Sequence, residues 1–167
     1  MAVHRASVVV RAPAEQVYAM WTHFEDFPKF MHFVLEVTYL DETHTHWVVD
    51  AVGRHEWDAE NENWIVNRQV GWRSTDGLEN SGRVTFTPQD PDKTLIEAVI
   101  AYDPPYGFVG DVADILGAGK RFERDLHRDL LNFARMVGEA PPGARDPLSS
   151  NYLFQSGSAA AQGQRDD

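Results

Sequence analysis

Between residues 34 and 103 apolar and polar positions alternate with a period close to two. The stretch predicts six strands, at about 34–40, 46–52, 55–61, 68–74, 81–87 and 94–103. Turn formers separate them: Asp41-Glu42-Thr43, Gly53, the segment from Asn61 to Asn63, Asp76-Gly77 and Asp90-Pro91-Asp92. That spacing suits consecutive antiparallel hairpins. Upstream, the valines of 7–11 predict another strand, Ala12-Pro13 stops it, and Pro13 suits the first turn of a helix. Val17, Met20, Trp21 and Phe24 are spaced for one face of that helix. A short segment that turns at Pro28 brings Phe24, Phe27, Phe30 and Phe33 close together, more aromatic surface than a short peptide can bury against itself. Near the end the period becomes 3.6: Val112, Ile115, Leu116, Phe122, Leu126, Leu130, Phe133 and Val137 form a stripe that predicts a helix over about 109–137. Gly117 and Gly119 interrupt its first half, which allows a kink, a close approach to a strand or ligand, or a local packing need.

No other helix of comparable length is available to that stripe, so it must pack on the sheet. The pattern therefore predicts one α+β domain over 1–138, with a curved antiparallel sheet wrapped around a long C-terminal helix and a cavity between them. The remainder, 139–167, is rich in Pro, Gly, Ser and Ala and reads as a flexible tail. Its one apolar patch is Asn151-Tyr152-Leu153-Phe154, which could dock on the body or on a second subunit.

Alternation also assigns the faces. Glu56, Asp58 and Glu60 on one side of a strand need water, so His55, Trp57 and Ala59 point inward. The same logic turns Trp47, Val49 and Ala51 inward, with Val70 and Trp72, Val84 and Phe86, and Ile96, Ala98, Ile100 and Tyr102. With Ile115 and Phe122 from the helix, these are the candidate ligand contacts: Trp47, Val49, Trp57, Val70, Trp72, Val84, Phe86, Ile96 and Ile100. So many large side chains on one concave face suit a flat apolar ligand, or else a plainly packed core.

Composition narrows the partners. The net charge is −11, of which the tail carries four acids against two arginines. No Lys/Arg run offers a track for phosphates, which argues against nucleic acid. Anionic membranes should repel the chain, stable insertion is not expected, and transient contact with a neutral membrane stays open. The chain has no cysteine, hence no disulfide, thiolate metal site or thiol nucleophile. The first eleven residues hold only Val8-Val9-Val10 as an apolar run, so no leader is expected and the cytoplasm is the expected location.

Candidate chemistry is sparse. His55 is the ionisable residue most firmly placed inward, and an imidazole near neutrality can move protons in a cyclisation or dehydration. Tyr102 could donate a hydrogen bond to a carbonyl or enolate. The competing reading of His55 is a histidine satisfied by a structural partner, and Arg68 reads as a strand-end surface residue before it reads as an anion holder. His44 and His46 share a face at metal-pair spacing, but Asp50 shares it too and a solvated outer surface explains all three, so no metal is expected. No cofactor is called for. Asp111 and Asp114 suit the positive end of the long helix. Phe27, Phe30 and Met31 with Tyr106 and Phe108 form a candidate lid at the cavity mouth, or alternatively a patch buried in a homodimer.

The local residues add a resemblance. Val10-Arg11-Ala12-Pro13-Ala14-Glu15-Gln16-Val17-Tyr18, followed by Trp21, Phe24, Glu25, Phe27-Pro28 and Phe30-Met31, resembles the start of bacterial polyketide cyclase/dehydrase-like proteins. So do His46-Trp47, Glu56-Trp57-Asp58-Ala59, Trp72-Arg73-Ser74, Asn80-Ser81-Gly82 with Val84 and Phe86, and Tyr102-Asp103-Pro104-Pro105. These proteins sit in the START-like (SRPBCC) superfamily beside coenzyme Q-binding and lipid-transfer proteins. The resemblance covers about 3–138 and implies the helix-grip fold with a deep pocket between sheet and last helix. It implies a small hydrophobic ligand (a lipid, quinone or aromatic polyketide) or, alternatively, cyclase, aromatase or dehydratase activity on a poly-β-carbonyl chain. It supplies no catalytic signature that maps residue by residue onto this chain.

Overall fold

The computed structural model describes residues 2–50, 53–102 and 112–139. Strand β1 (Ala2–Val10) leads into helix α1 (Ala14–Trp21) and a 3-10 helix at Phe24–Lys29. Six strands follow: β2 (Val34–Tyr39), β3 (His44–Asp50), β4 (Arg54–Asn61), β5 (Gln69–Gly77), β6 (Asn80–Asp90) and β7 (Lys93–Tyr102). Helix α2 (Val112–Glu139) closes the described chain. The strands form one antiparallel sheet in the order β1-β7-β6-β5-β4-β3-β2, so the first strand pairs with the last and the rest are successive hairpins. The sheet curls into a half-barrel packed against α2, which is the START-like helix-grip fold.

The elements follow the expected pattern, with differences at β1 and β5. β1 begins at Ala2 rather than Ser7, because it alternates with polar residues: His4 is buried while Val3 and Arg5 face outward. Asp76-Gly77 is the end of β5 rather than the turn, and Leu78-Glu79 makes the connection. α2 runs as one helix through Gly117 and Gly119. The Asn151-Tyr152-Leu153-Phe154 patch, Ala51, Tyr106 and Phe108 lie outside the described residues, as does the side chain of Ile115.

The core sits where α1 and the second half of α2 meet the sheet. Leu126, Leu130, Phe133 and Val137 repeat at three to four residues along α2 and are all buried. Each contributes about 1.5–3 kcal/mol from the apolar surface it removes from water. Trp21 packs its edge on Phe86 of β6 and on Phe133 of α2, tying the three layers together. Buried Val10, Val17 and Met20 fill the same region, and Thr94 is anchored there by donating its hydroxyl to the Ala12 carbonyl at 2.8 Å.

Candidate functional site

The sheet, the 3-10 helix and the middle of α2 enclose a cavity of about 110 Å³. Its floor is the concave face of the sheet: Trp47 and Val49 from β3, Trp57 from β4, and Val70 and Trp72 from β5. Ala98, Ile100 and Tyr102 continue that floor onto β7. Phe122 and Leu126 of α2 cover one side, and Trp21, Phe24, Phe27 and Met31 cover the other.

The indoles are placed by register. Trp47 and Trp57 are direct partners across β3 and β4, and their rings stack at 5.9 Å with an interplanar angle of 4°. Trp47 donates its Nε1–H to Thr45 Oγ1 at 2.7 Å, from two residues back on the same face. Trp72 pairs with Gly82 of β6, and its ring lies across that glycine so closely that a Cβ there would overlap it. Its Nε1–H is held by Asn80 Oδ1 at 2.8 Å. Trp64 packs edge-on against Tyr18 and Phe24 and gives its N–H to the Gly71 carbonyl at 3.0 Å.

The segment from Met31 to Val34 is clasped to α2. His32 donates its backbone N–H to Asp129 Oδ2 at 3.2 Å, and its Nδ1 lies 2.9 Å from both carboxylate oxygens. Asp129 is fully buried, and burial pushes its pKa up while the histidine pulls it back. The flanking residues Met31 and Phe33 both line the cavity, so this clasp fixes that wall.

Chemically the cavity is close to inert. Among the described residues no Asp, Glu, His, Lys or Arg lines it. Among the described wall residues Tyr102 is the one titratable group, and burial raises its pKa, which keeps it a neutral phenol. Its ring lies 5.6 Å from that of Phe122, which in turn meets His4 edge-on at 5.1 Å. His55 shares the inward side of β4 with Trp57 and pairs with Val49, but it stands at the start of the strand, half-buried, and does not line the cavity. His4 is the buried histidine nearest this end, with Nδ1 3.6 Å from Glu123 Oε1.

Not every expected contact borders the cavity. Val84, Phe86 and Ile96 face inward but do not line the cavity, because α1 fills the space above them; Phe86 meets Tyr18 and Trp21 edge-on. Phe27, Phe30 and Met31 are buried, so they are not an exposed lid. Phe27 and Met31 are wall, and Phe30 packs into the core against Phe133. Trp21, Phe24, Phe33, Val34, Thr45, Asn61, Leu78, Asn80, Ala98 and Leu126 line the cavity without being among the expected contacts; Ala98, which alternation turns inward, Thr45, two residues from Trp47, and Leu126, one turn from Phe122, carry a readable signal. On the convex face His44 contacts Asp41 at 2.9 Å and His46 contacts Asp58 at 2.6 Å. No group of three or more metal-ligating side chains forms among the described residues.

Comparison with known proteins agrees with this geometry. The family described as polyketide cyclase / dehydrase and lipid transport matches residues 10–131. The chain belongs to that family. Among solved structures, a protein from Deinococcus radiodurans is 28% identical, with 82% of this chain and 98% of that one covered at a TM-score of 0.64. A START superfamily protein from Mycobacterium smegmatis is 16% identical, covering 81% of this chain and 98% of its own at a TM-score of 0.69. An aromatase/cyclase from Streptomyces is 18% identical, covering 80% and 89% at a TM-score of 0.61. The last two similarities speak for the fold. No curated protein matches the chain. Among the described residues no helix is long and apolar enough to cross a membrane.

Proposed function

We propose that this protein binds a small hydrophobic ligand, of lipid, quinone or aromatic polyketide type, in the cavity between its sheet and α2. The observation that carries the reading is the wall itself: stacked indoles and aliphatic side chains, with no charged group among its described residues. The contacts assigned to ligand are Trp47, Val49, Trp57, Val70, Trp72, Ile100 and Phe122. No cofactor is part of this reading, and a homodimer remains compatible with it. Native mass spectrometry of the purified protein, before and after organic extraction, tests it. Release of an apolar small molecule is the expected result. A protein that carries nothing and also takes up no apolar fluorescent probe would sink the reading.

A cyclase, aromatase or dehydratase is the second reading, and one observation favours it: the neutral phenol of Tyr102 borders the cavity, where it can donate to a developing enolate. Positioning of a poly-β-carbonyl chain by shape would supply the rest. In this reading Tyr102→Phe lowers turnover of such a substrate while leaving its affinity largely intact. An unchanged rate in His55→Ala would remove His55 from the chemistry, as its place outside the wall leads us to expect.

A further inference from the structure

The outer, convex face of the sheet treats its charges differently in its two halves. Over β3, β4 and β5 outward charges are paired within the chain: His46 meets Asp58 and Glu56, and Arg73 meets Glu60. Over β1, β7 and β6 they are left open. Arg5, Arg83 and Glu97 are all exposed, and among the described residues none of their side chains makes an ion pair or a hydrogen bond. Arg5 donates only its backbone N–H, to Glu123 Oε1 at 3.4 Å.

Register sets these charges in rows across the three strands. Arg5, Val99 and Arg83 lie side by side on β1, β7 and β6, and the next outward row is Ser7, Glu97 and Thr85. Flanking rows bring Val3 beside Ala101 at one end and Val9 beside Leu95 at the other. Val3 and Val9 are 51% and 42% exposed. The pattern is self-complementary. A half-turn about an axis in the plane of the sheet, crossing β7 at Ala98, lays this face on the same face of a second copy. Val3 then meets the partner's Val9, and Ala101 meets the partner's Leu95. Glu97 comes down over the partner's Val99, between the partner's Arg5 and the partner's Arg83. Every contact is made twice, as in any isologous pair. A half-turn about β7 itself would instead lay Arg5 on the partner's Arg83, which like charge opposes.

A net charge of −11 makes most surfaces of two copies repel. This face differs, with two open arginines against one glutamate, placed so that each sign meets its opposite. An acidic partner would find Glu97 in its way, whereas a second copy uses it. We propose that the outer face of β1, β7 and β6 is where two copies of this chain associate, with Glu97 of each held between Arg5 and Arg83 of the other. The face is convex, so contact is confined to these three strands. The interface therefore belongs to the small, transient class, roughly under 1,200 Å² in total. The cavity wall lies on the other face of the sheet, so the inference is independent of what the cavity holds.

The test is sedimentation velocity of the full-length protein from about 1 μM to about 500 μM, the range a small interface calls for. The wild type should pass from monomer to dimer. Glu97→Arg should weaken association more than about tenfold, because it sets a cation between two others. Arg5→Glu combined with Arg83→Glu should weaken it as much, by gathering carboxylates. An equimolar mixture of the two variants should dimerise again. Each changed position then faces the opposite charge on the other chain, and the remaining contact keeps its native charges. A wild type that stays monomeric throughout overturns the inference without recourse to any variant. Dimers that ignore the substitutions overturn it too and place the contact on another face. Variants that lose association and do not recover it on mixing overturn the pairing of Glu97 with Arg5 and Arg83.

Discussion

The two halves of the concave face carry the same alternating pattern and end in different states. Under α1, the part of β6 and β7 around Val84, Phe86 and Ile96 is filled and buried, with Val17, Met20 and Trp21 above it. Over β3, β4 and β5, the inward Trp47, Trp57 and Trp72 remain only partly buried and the cavity opens in front of them. Nothing in the strands themselves distinguishes the halves. The difference is what lies across them: a two-turn amphipathic helix in one case, and aromatic side chains reaching over from the 3-10 helix in the other. Core and site are thus set by the covering layer rather than by the sheet.

The largest expected effect comes from emptying the filled half. Phe86→Ala should destabilise the protein by about 3–5 kcal/mol, read from the denaturant midpoint, since its ring is wholly buried beneath Tyr18 and Trp21. A cost under about 1 kcal/mol would mean that this half is as loosely packed as the other. A matched pair on β7 sharpens the contrast. Ile96 is wholly buried, whereas Ile100, four residues on and inward on the same strand, borders the cavity. Ile96→Ala should cost about 2–5 kcal/mol of stability and spare ligand affinity, whereas Ile100→Ala should cost less than about 2 kcal/mol and weaken binding. Equal stability losses would erase the distinction between core and site. Gly82→Ala comes next. Its new methyl would run into the Trp72 ring, so a loss of about 1–3 kcal/mol is expected. Pairing it with Trp72→Phe should recover part of that loss, a coupling that a double-mutant cycle measures directly.

Much of this architecture was legible in the sequence because its signals are local. Three outward carboxylates on β4 fixed the inward placement of Trp57, and the stripe ending at Leu130, Phe133 and Val137 fixed the face of α2. The first half of β1 is hidden from the pattern because its inward His4 is polar and breaks the apolar alternation. The cavity wall is legible on the sheet and at Phe122 of α2, and less so elsewhere. Trp47, Trp57 and Trp72 were found, whereas Trp21, Phe24 and Phe33 reach it through the path of the chain around the 3-10 helix, which no period records. For the same reason Phe86 and Ile96 were expected in the site: alternation gives a residue its face, but α1 decides whether that face is covered. His55 shows the limit along a strand, since it stands only two positions before Trp57 and that is enough to leave the wall.

The smallest effect is expected on the opposite face of the same hairpin, directly behind the stacked indoles. His46 of β3 lies 2.6 Å from Asp58 and 3.3 Å from Glu56 of β4, and the Asp58 hydrogen bond above all holds its pKa above 6.5. A histidine whose folded pKa is raised contributes stability that is complete below its ordinary pKa and disappears as the pH rises through the raised value. His46→Gln should therefore lower stability near about pH 5.5 by no more than about 1 kcal/mol, the size of an exposed ion pair, and by nothing measurable near about pH 9. Ligand affinity should not change at either pH, because the pair sits on the convex face and the described residues of the wall on the other side are uncharged. A loss that persists at the higher pH would show that the imidazole acts through packing. A change in affinity would show that the convex charges tune the cavity through the strand, and the sheet would then be a working part of the site rather than its floor.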